Sequence, residues 1–203
     1  PAAIETRTEG GRSWYDYATN NVMGRMLAYS ANGIHFAFMK RQPDAAGPRY
    51  VTYNYWDPSL GIFFGDQSVT EAASTGWGRV LNGQNNEALI SMHGGGIWLW
   101  QDASEAGYSF TSVLNPYNDG VFPGIALMGD KVVFIAQLTN GNWTGGDTIL
   151  VSDDYMSTWT GYNIWPEEPQ VVDYGVGEMW PTFDPTDATG NTWRVVYGPP
   201  NKT

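Results

Sequence analysis

Four times along the 203-residue chain an apolar run meets a tight-turn signal and is followed by a second apolar run: "RMLAYSANGIHFAF" from Arg25, "ALISMHGGGIWLW" from Ala88, "GIALMGDKVVFIA" from Gly124 and "WPTFDPTDATGNTWRVVY" from Trp180. Each is a hairpin candidate. Two-residue hairpin loops need positive φ, which Gly and Asn adopt at little cost. Asn32-Gly33, Gly94 to Gly96 and Gly129-Asp130 supply it, and the fourth repeat widens into "DPTDATGN". "RYVTYNYW", "YSFTSVL" and "DTILVS" add a further strand after the first three hairpins. Ten Trp and twelve Tyr suit pleated surfaces, while 25 Gly and 12 Pro supply turns. No window carries a long apolar stripe at helical spacing with caps at both ends. The chain is expected to be all-β.

Three or four antiparallel strands per unit, repeated at tens of residues, predict the blades of a β-propeller. A lead-in segment covers residues 1–22, and blades occupy 23–203 with units starting near 23, 86, 122 and 178. Matching Ile34, Ile97, Val132 and Trp193 gives unequal separations, which surface loops of different length accommodate. The short interval from Ile97 to Val132 leaves little room for a fourth strand in the second unit. A β-sandwich is the structural alternative. Four units imply either a short closed ring or part of a larger propeller.

A formal charge of -11 with only ten Lys and Arg repels polyanions and offers no basic stripe, so neither nucleic acid nor an anionic membrane is an expected partner. No apolar segment approaches the roughly 20 residues of a membrane-spanning helix. The opening "PAAIETRTEGG" has neither an initiator Met nor a signal-peptide core and reads as a mature or excised segment. Without Cys there is no disulfide framework and no thiolate metal site.

Residues 151 to 160, "VSDDYMSTWT", carry the spacing Ser152-x-Asp154-x-Met156-x-Thr158-Trp159. It resembles the Asp-box (BNR repeat) of sialidase-like β-propellers, Ser/Thr-x-Asp-x-Gly-x-Thr-Trp, with Met156 where the family has Gly. The resemblance implies a turn between the third and fourth strands of a blade, built by Ser152, Asp154, Thr158 and Trp159. A carboxylate on such a turn accepts N–H groups that the ladder leaves unpaired, and Met156 must take a conformation that Gly adopts more cheaply. A ligand or metal role for Asp153 or Asp154 is the alternative. "TDATGNTW", residues 186 to 193, has Ala188 where the pattern has Asp. Family kinship also implies an exported or cell-surface protein, bacterial in origin. A sialidase needs three arginines on the substrate carboxylate, a Tyr-Glu nucleophile pair and an Asp acid/base. Only Arg25 begins an inner strand, the Arg-Ile-Pro signature is absent, and Arg7, Arg12, Arg41, Arg49, Arg79 and Arg194 lack a matching context.

Propellers bind ligands where the inner strands begin. Arg25, then Asn85, Asn86 and Glu87, then Phe122, then Glu178 and Trp180 are expected there. Amides and carboxylates suit sugar hydroxyls, and an aromatic ring suits the C–H face of a sugar. The plainer reading makes Glu87 and Glu178 solvated loop acids and Trp180 core. Were the protein a glycoside hydrolase, Glu87 and Glu178 would be its paired carboxylates, and they are expected to stand too far apart. His35 and His93 are too few for a zinc site without carboxylate help. Trp98 and Trp100 alternate on one strand face, which suits packing between blades or, less simply, a sugar platform. Asn142-Trp143-Thr144 and Asn201-Lys202-Thr203 match the N-glycosylation pattern. The expected function is an exported or surface binding module for a glycan or a surface protein, with no cofactor and no metal. The alternatives are a glycoside hydrolase using channel carboxylates and a structural subunit of a surface assembly, with other blades or chains completing the propeller.

Overall fold

The computed structural model describes residues 8–14, 25–41, 47–72, 74–117, 120–138, 147–164, 179–183, 189 and 193–197. Among them there is no helix, and the strands form four antiparallel sheets in chain order. The first contains β1 (Leu27–Tyr29), β2 (Ile34–Arg41), β3 (Arg49–Asp57), β4 (Ile62–Phe63) and β5 (Gln67–Ser68), with β5 paired to β3. The second runs β6 (Gly76–Asn82), β7 (Ala88–His93), β8 (Ile97–Asp102) and β9 (Phe110–Tyr117). The third runs β10 (Gly120–Met128), β11 (Lys131–Leu138), β12 (Asp147–Ser152) and β13 (Thr160–Ile164). The fourth pairs β14 (Met179–Phe183) with β15 (Trp193–Tyr197). Apart from β5, each strand pairs with a neighbour in sequence, and the first strands β1, β6, β10 and β14 touch one another in succession.

Period-two alternation explains how the sheets stack. On the first sheet Ala37, Val51, Tyr53 and Tyr55 pack with Val80, Ala88, Ile90 and Met92 of the second. The next residues along those same strands, Leu81 and Leu89 with Ile97 and Leu99, turn the other way and meet Ile125, Val132, Phe134 and Leu150 of the third sheet. Val133, Ile135 and Ile149 then form the far face of that third sheet. With a sheet on either side, β7 is buried at all six positions. Such strands lose the polar alternation that a one-sided sheet would show.

Three expectations change here. The hairpin at Ala88 is not the opening of its unit: β6, to which the sequence reading assigned no strand, is the first, so Ala88 begins the second strand and Ile97 the third. Ile34, Val132 and Trp193 all stand on second strands, and their counterpart in the second sheet lies on β7 rather than at Ile97. The second sheet therefore has four strands, and four sheets in series replace the two facing layers of a sandwich.

Candidate functional site

In an antiparallel meander the first-to-second and third-to-fourth turns share one end of every sheet. At that end lie residues 83–87, which join β6 to β7, so Asn85, Asn86 and Glu87 stand where an inner strand finishes and not where one starts. Glu87 is 2% exposed. Its carboxylate accepts from the Tyr155 hydroxyl, from Gln101 Nε2 (2.9 Å) and from the Asn85 N–H (2.8 Å). Burial pushes the Glu87 acid up, but the hydrogen bonds from Tyr155, the backbone and Gln101 outweigh it and hold the group below the usual range. A carboxylate so held is an anion at neutral pH and cannot serve as a general acid. Asn86 Oδ1 accepts from the Ala31 N–H of the first sheet at 3.1 Å, and Asn85 is exposed.

The same end carries the third-to-fourth turns. Residues 153–159 connect β12 to β13. Asp154 accepts from the Thr158 N–H (2.8 Å) and hydroxyl (2.7 Å) and from the Ser152 hydroxyl (2.9 Å), while Ser152 Oγ takes the Met156 N–H at 2.9 Å. These bonds, the Thr158 hydroxyl foremost, lower the Asp154 acid. Asp153 is an exposed partner of Lys131 at 2.5 Å. Trp159 packs partly buried against the core between the second and third sheets.

At the opposite end, where inner strands begin, the structure assembles a different set. Strands β6 and β10 each break register near their start, between Gly76 and Arg79 and between Val121 and Gly124. The residues thrown out of register, Trp77 and Phe122, have φ of 52° and 53°. For a bulky L-residue that conformation costs roughly 1–2 kcal/mol and persists only where surroundings impose it. Pro123, with no N–H to donate, fits the second bulge.

His93, at the end of β7, binds the two bulges together. Its Nδ1 accepts the Phe122 N–H at 3.0 Å, which places any proton of the neutral ring on Nε2. Its ring stacks on Trp77 (centroids 4.7 Å, planes 25° apart), and Phe122 meets both rings edge-on at 5.2 and 5.0 Å. Arg49, which opens β3, lies over Trp77 with its guanidinium carbon 4.7 Å from the ring centre. Burial first, then the charges of Arg49 and Arg79, push the His93 pKa down to about 3. The ring is therefore neutral at physiological pH, and at 7% exposure it is a structural element rather than a proton shuttle.

Of the residues expected at this end, Phe122 is present in the cluster, and Arg25 is exposed just before β1 with its carbonyl accepting from the Val80 N–H at 2.9 Å. Trp180 lies on β14, of which the structure describes only the backbone pairing with Val196. Glu178 lies outside the described residues, as do Asn142-Trp143-Thr144 and Asn201-Lys202-Thr203. Trp77 was not foreseen from the sequence, and Arg49 was set aside there with the arginines that lack a sialidase context. "GWGRVL" offers a signal in retrospect, since an aromatic between two glycines is an economical way to build a bulge. His35 is fully buried between the first two sheets. Asn82 Nδ2 donates to the Gly83 carbonyl, so its Oδ1 accepts from His35 Nε2 (3.1 Å) while His35 Nδ1 takes the Tyr53 hydroxyl proton (2.8 Å). Trp98 and Trp100 pack against the core between the first and second sheets.

No protein-family model and no curated protein sequence matches the chain. Solved structures do. A thermostable family-43 glycoside hydrolase superposes with a TM-score of 0.50 at 15% identity, over 84% of this chain and 63% of that one. The GH43B protein of the Bacteroides ovatus xyloglucan PUL gives 0.51 at 11% identity, over 85% and 39%. An exo-β-1,3-galactanase from Phanerochaete chrysosporium, solved with β-1,3-galactotriose, gives 0.51 at 13%, over 83% and 43%. These are β-propellers. The four sheets are propeller blades. The chain spans less than two thirds of the length of each of these structures.

Proposed function

We propose that this chain is a carbohydrate-binding β-propeller module whose ligand meets the end where the inner strands begin. The observation that carries the proposal is the pair of matching bulges in β6 and β10, which spend backbone strain to hold Trp77 and Phe122 at that end around a neutral His93. Strain of this kind concentrates at ligand sites, and Trp77, although His93 stacks on it and Arg49 lies over it, stays only half-buried and keeps part of its apolar surface accessible to a sugar. The sugar-active names of the superposed structures support the same ligand class. Kinship with sialidase-like Asp-box proteins, and a place outside the cell or on its surface, belong to this proposal and rest on the spacing of Ser152, Asp154, Thr158 and Trp159.

A glycoside hydrolase is the second reading, favoured by the three hydrolase-type propellers that the chain superposes on. Glu87 has no part in it, being held on the other end. Titration calorimetry and product analysis with galactan and xylan oligosaccharides separate the two. Binding without turnover, weakened about tenfold or more by Trp77→Ala in a variant that keeps its β-sheet spectrum, is the expected result. Turnover that survives Glu87→Gln and disappears in Glu178→Gln makes the protein an enzyme.

A further inference from the structure

Residues 8–14 reach the end where the inner strands begin by crossing the outer face of the first sheet. Gly10 and Gly11 lie against the rings of Phe63 and Phe38, where any side chain would collide, and Asn54 Nδ2 donates to the Gly10 carbonyl at 2.7 Å. The segment then meets β2. Because the Ala37 N–H donates to the Met26 carbonyl, alternation along the strand turns the backbone groups of Ala37, Met39 and Arg41 toward β1. Arg41 lies beyond the start of β1, whose first residue pairs with Phe36. There Ser13 Oγ accepts the Arg41 N–H at 3.3 Å, and the Trp14 N–H donates to the Arg41 carbonyl at 3.2 Å. Residues 13 and 14 thus continue the inner edge of the first sheet past the point where β1 begins.

The edge so extended adjoins the His93 cluster. Across the sheet Arg41 pairs with Arg49, whose guanidinium lies over Trp77. Trp14 is 55% exposed, and no other tryptophan whose surroundings are described is exposed. An exposed indole keeps a large apolar surface in water, which a partner's apolar surface relieves. Since the backbone of Trp14 is already pinned to β2, little order is lost when a ligand arrives. The neighbours of the ring select that ligand. Glu9 and Arg12 form an exposed ion pair, and Ser13 is polar, so the indole stands alone among charged and hydrogen-bonding groups. A protein core or an acyl chain needs a contiguous apolar patch, whereas a sugar needs one flat ring with polar groups around it.

We propose that Trp14 is the platform of an outer sugar subsite, and that the ligand is an oligosaccharide held at the Trp77 cluster and extending past Arg49 and Arg41 to this ring. The inference rests on the sugar-binding reading above and adds to it a second contact and a minimum length of ligand. A single sugar meets only the cluster.

Titration calorimetry with galactan and xylan oligosaccharides of increasing length tests it. Affinity for the wild-type chain should rise with oligosaccharide length. Trp14→Ala should weaken binding of the longer oligosaccharides by about threefold to tenfold and leave the disaccharides unaffected, so that the dependence on length flattens. Trp14→Phe should restore most of that dependence, with the melting temperature of both variants unchanged, and Trp77→Ala should weaken binding at every length. Loss with Trp77→Ala but none with Trp14→Ala overturns the outer subsite and leaves the sugar-binding reading standing. Equal loss at every length with Trp14→Ala also overturns it, because the residue then acts through the cluster or the fold. Absence of binding at any length overturns the sugar-binding reading itself, and the outer subsite with it.

Discussion

Asp57, Asp102 and Asp154 stand at the same place in three successive sheets, where the third strand hands over to the fourth. Asp57 accepts from the Ser59 N–H and hydroxyl and the Leu60 N–H. Asp102 accepts from the N–H groups of Ala103 (2.9 Å), Tyr108 (3.0 Å) and Ser109 (2.8 Å). Only the third turn shows in the sequence, because only there do Ser, Thr and Trp surround the carboxylate at a recognisable spacing; "DPSLG" and "DASEAGYS" do the same work with other neighbours. Met156 shows why that motif drifts. It adopts φ of 70°, the conformation expected to favour Gly, and its side chain is buried in the core between the second and third sheets. Burial contributes roughly 1.5–3 kcal/mol against the roughly 1–2 kcal/mol of left-handed strain, so Met is tolerated. Among the described residues Asp102, at 1% exposure, is the carboxylate that solvent can least replace. Asp102→Ala should therefore cost about 1–3 kcal/mol in urea unfolding, since three backbone donors lose their acceptor. Asp154, whose turn is open to water, should show a smaller loss on the same substitution.

At the level of elements, first-to-second turns lock onto the neighbouring sheet. Glu105, in the third-to-fourth turn of the second sheet, accepts from Ser30, from Tyr55 (2.7 Å) and from Asn32 Nδ2 (2.6 Å) of the first. One sheet later Gln84 Nε2 reaches Asp130 Oδ1 at 2.5 Å, and Glu87 takes the Tyr155 hydroxyl. Glu87, nominated as a ligand contact, is thus a seam clamp, as Glu105 is one seam earlier. Hairpin turns were legible where Gly94 to Gly96 and Gly129 take the positive φ expected of them. At Asn32-Gly33 the hairpin forms but neither residue has positive φ, because residues 30–33 make a longer connection than the two-residue loop expected. Strand β6 was not legible, because Gly76, Gly78 and Arg79 interrupt the apolar pattern that marks a strand. Misplacing that one strand moved Asn85, Asn86 and Glu87 to the wrong end of the blade. Glu87→Gln turns an acceptor oxygen into an amide facing donors and should cost about 1–3 kcal/mol. Calorimetry on the same variant should show sugar binding unchanged, because the clamp and the aromatic cluster occupy opposite ends of the sheet. Loss of binding with unaltered stability is the contrary result.

For the whole molecule, the number of sheets and their antiparallel order were readable from repeated hairpins, but the His93 cluster needed three strands from two sheets brought to one point. Neither "SMHGGG" nor "VFPG" hints at the other. The cluster gives the molecule a pH dependence whose sign can be worked out. An unfolded histidine titrates near about 6.5, whereas in the folded chain burial and the two arginines push His93 down to about 3. His35, lowered chiefly by burial, shifts the same way. The folded state therefore binds fewer protons than the unfolded one below about pH 6.5, and stability falls as pH falls through that value. The carboxylates held low by hydrogen bonds, Glu87 and Glu105 among them, act in the same direction but only below their ordinary value of 4.5. The interval from pH 7 to pH 5 isolates the histidines. Each pH step below about 6.5 removes at most about 1.4 kcal/mol per histidine, so unfolding free energy should drop by about 2 kcal/mol or more by pH 5. Urea titrations at half-unit steps measure it. His93→Gln lowers stability at pH 7 through its lost packing, yet the slope between pH 7 and pH 5 should become shallower; an unchanged slope would mean that His93 is charged in the folded protein and that Trp77 and Phe122 surround a cation.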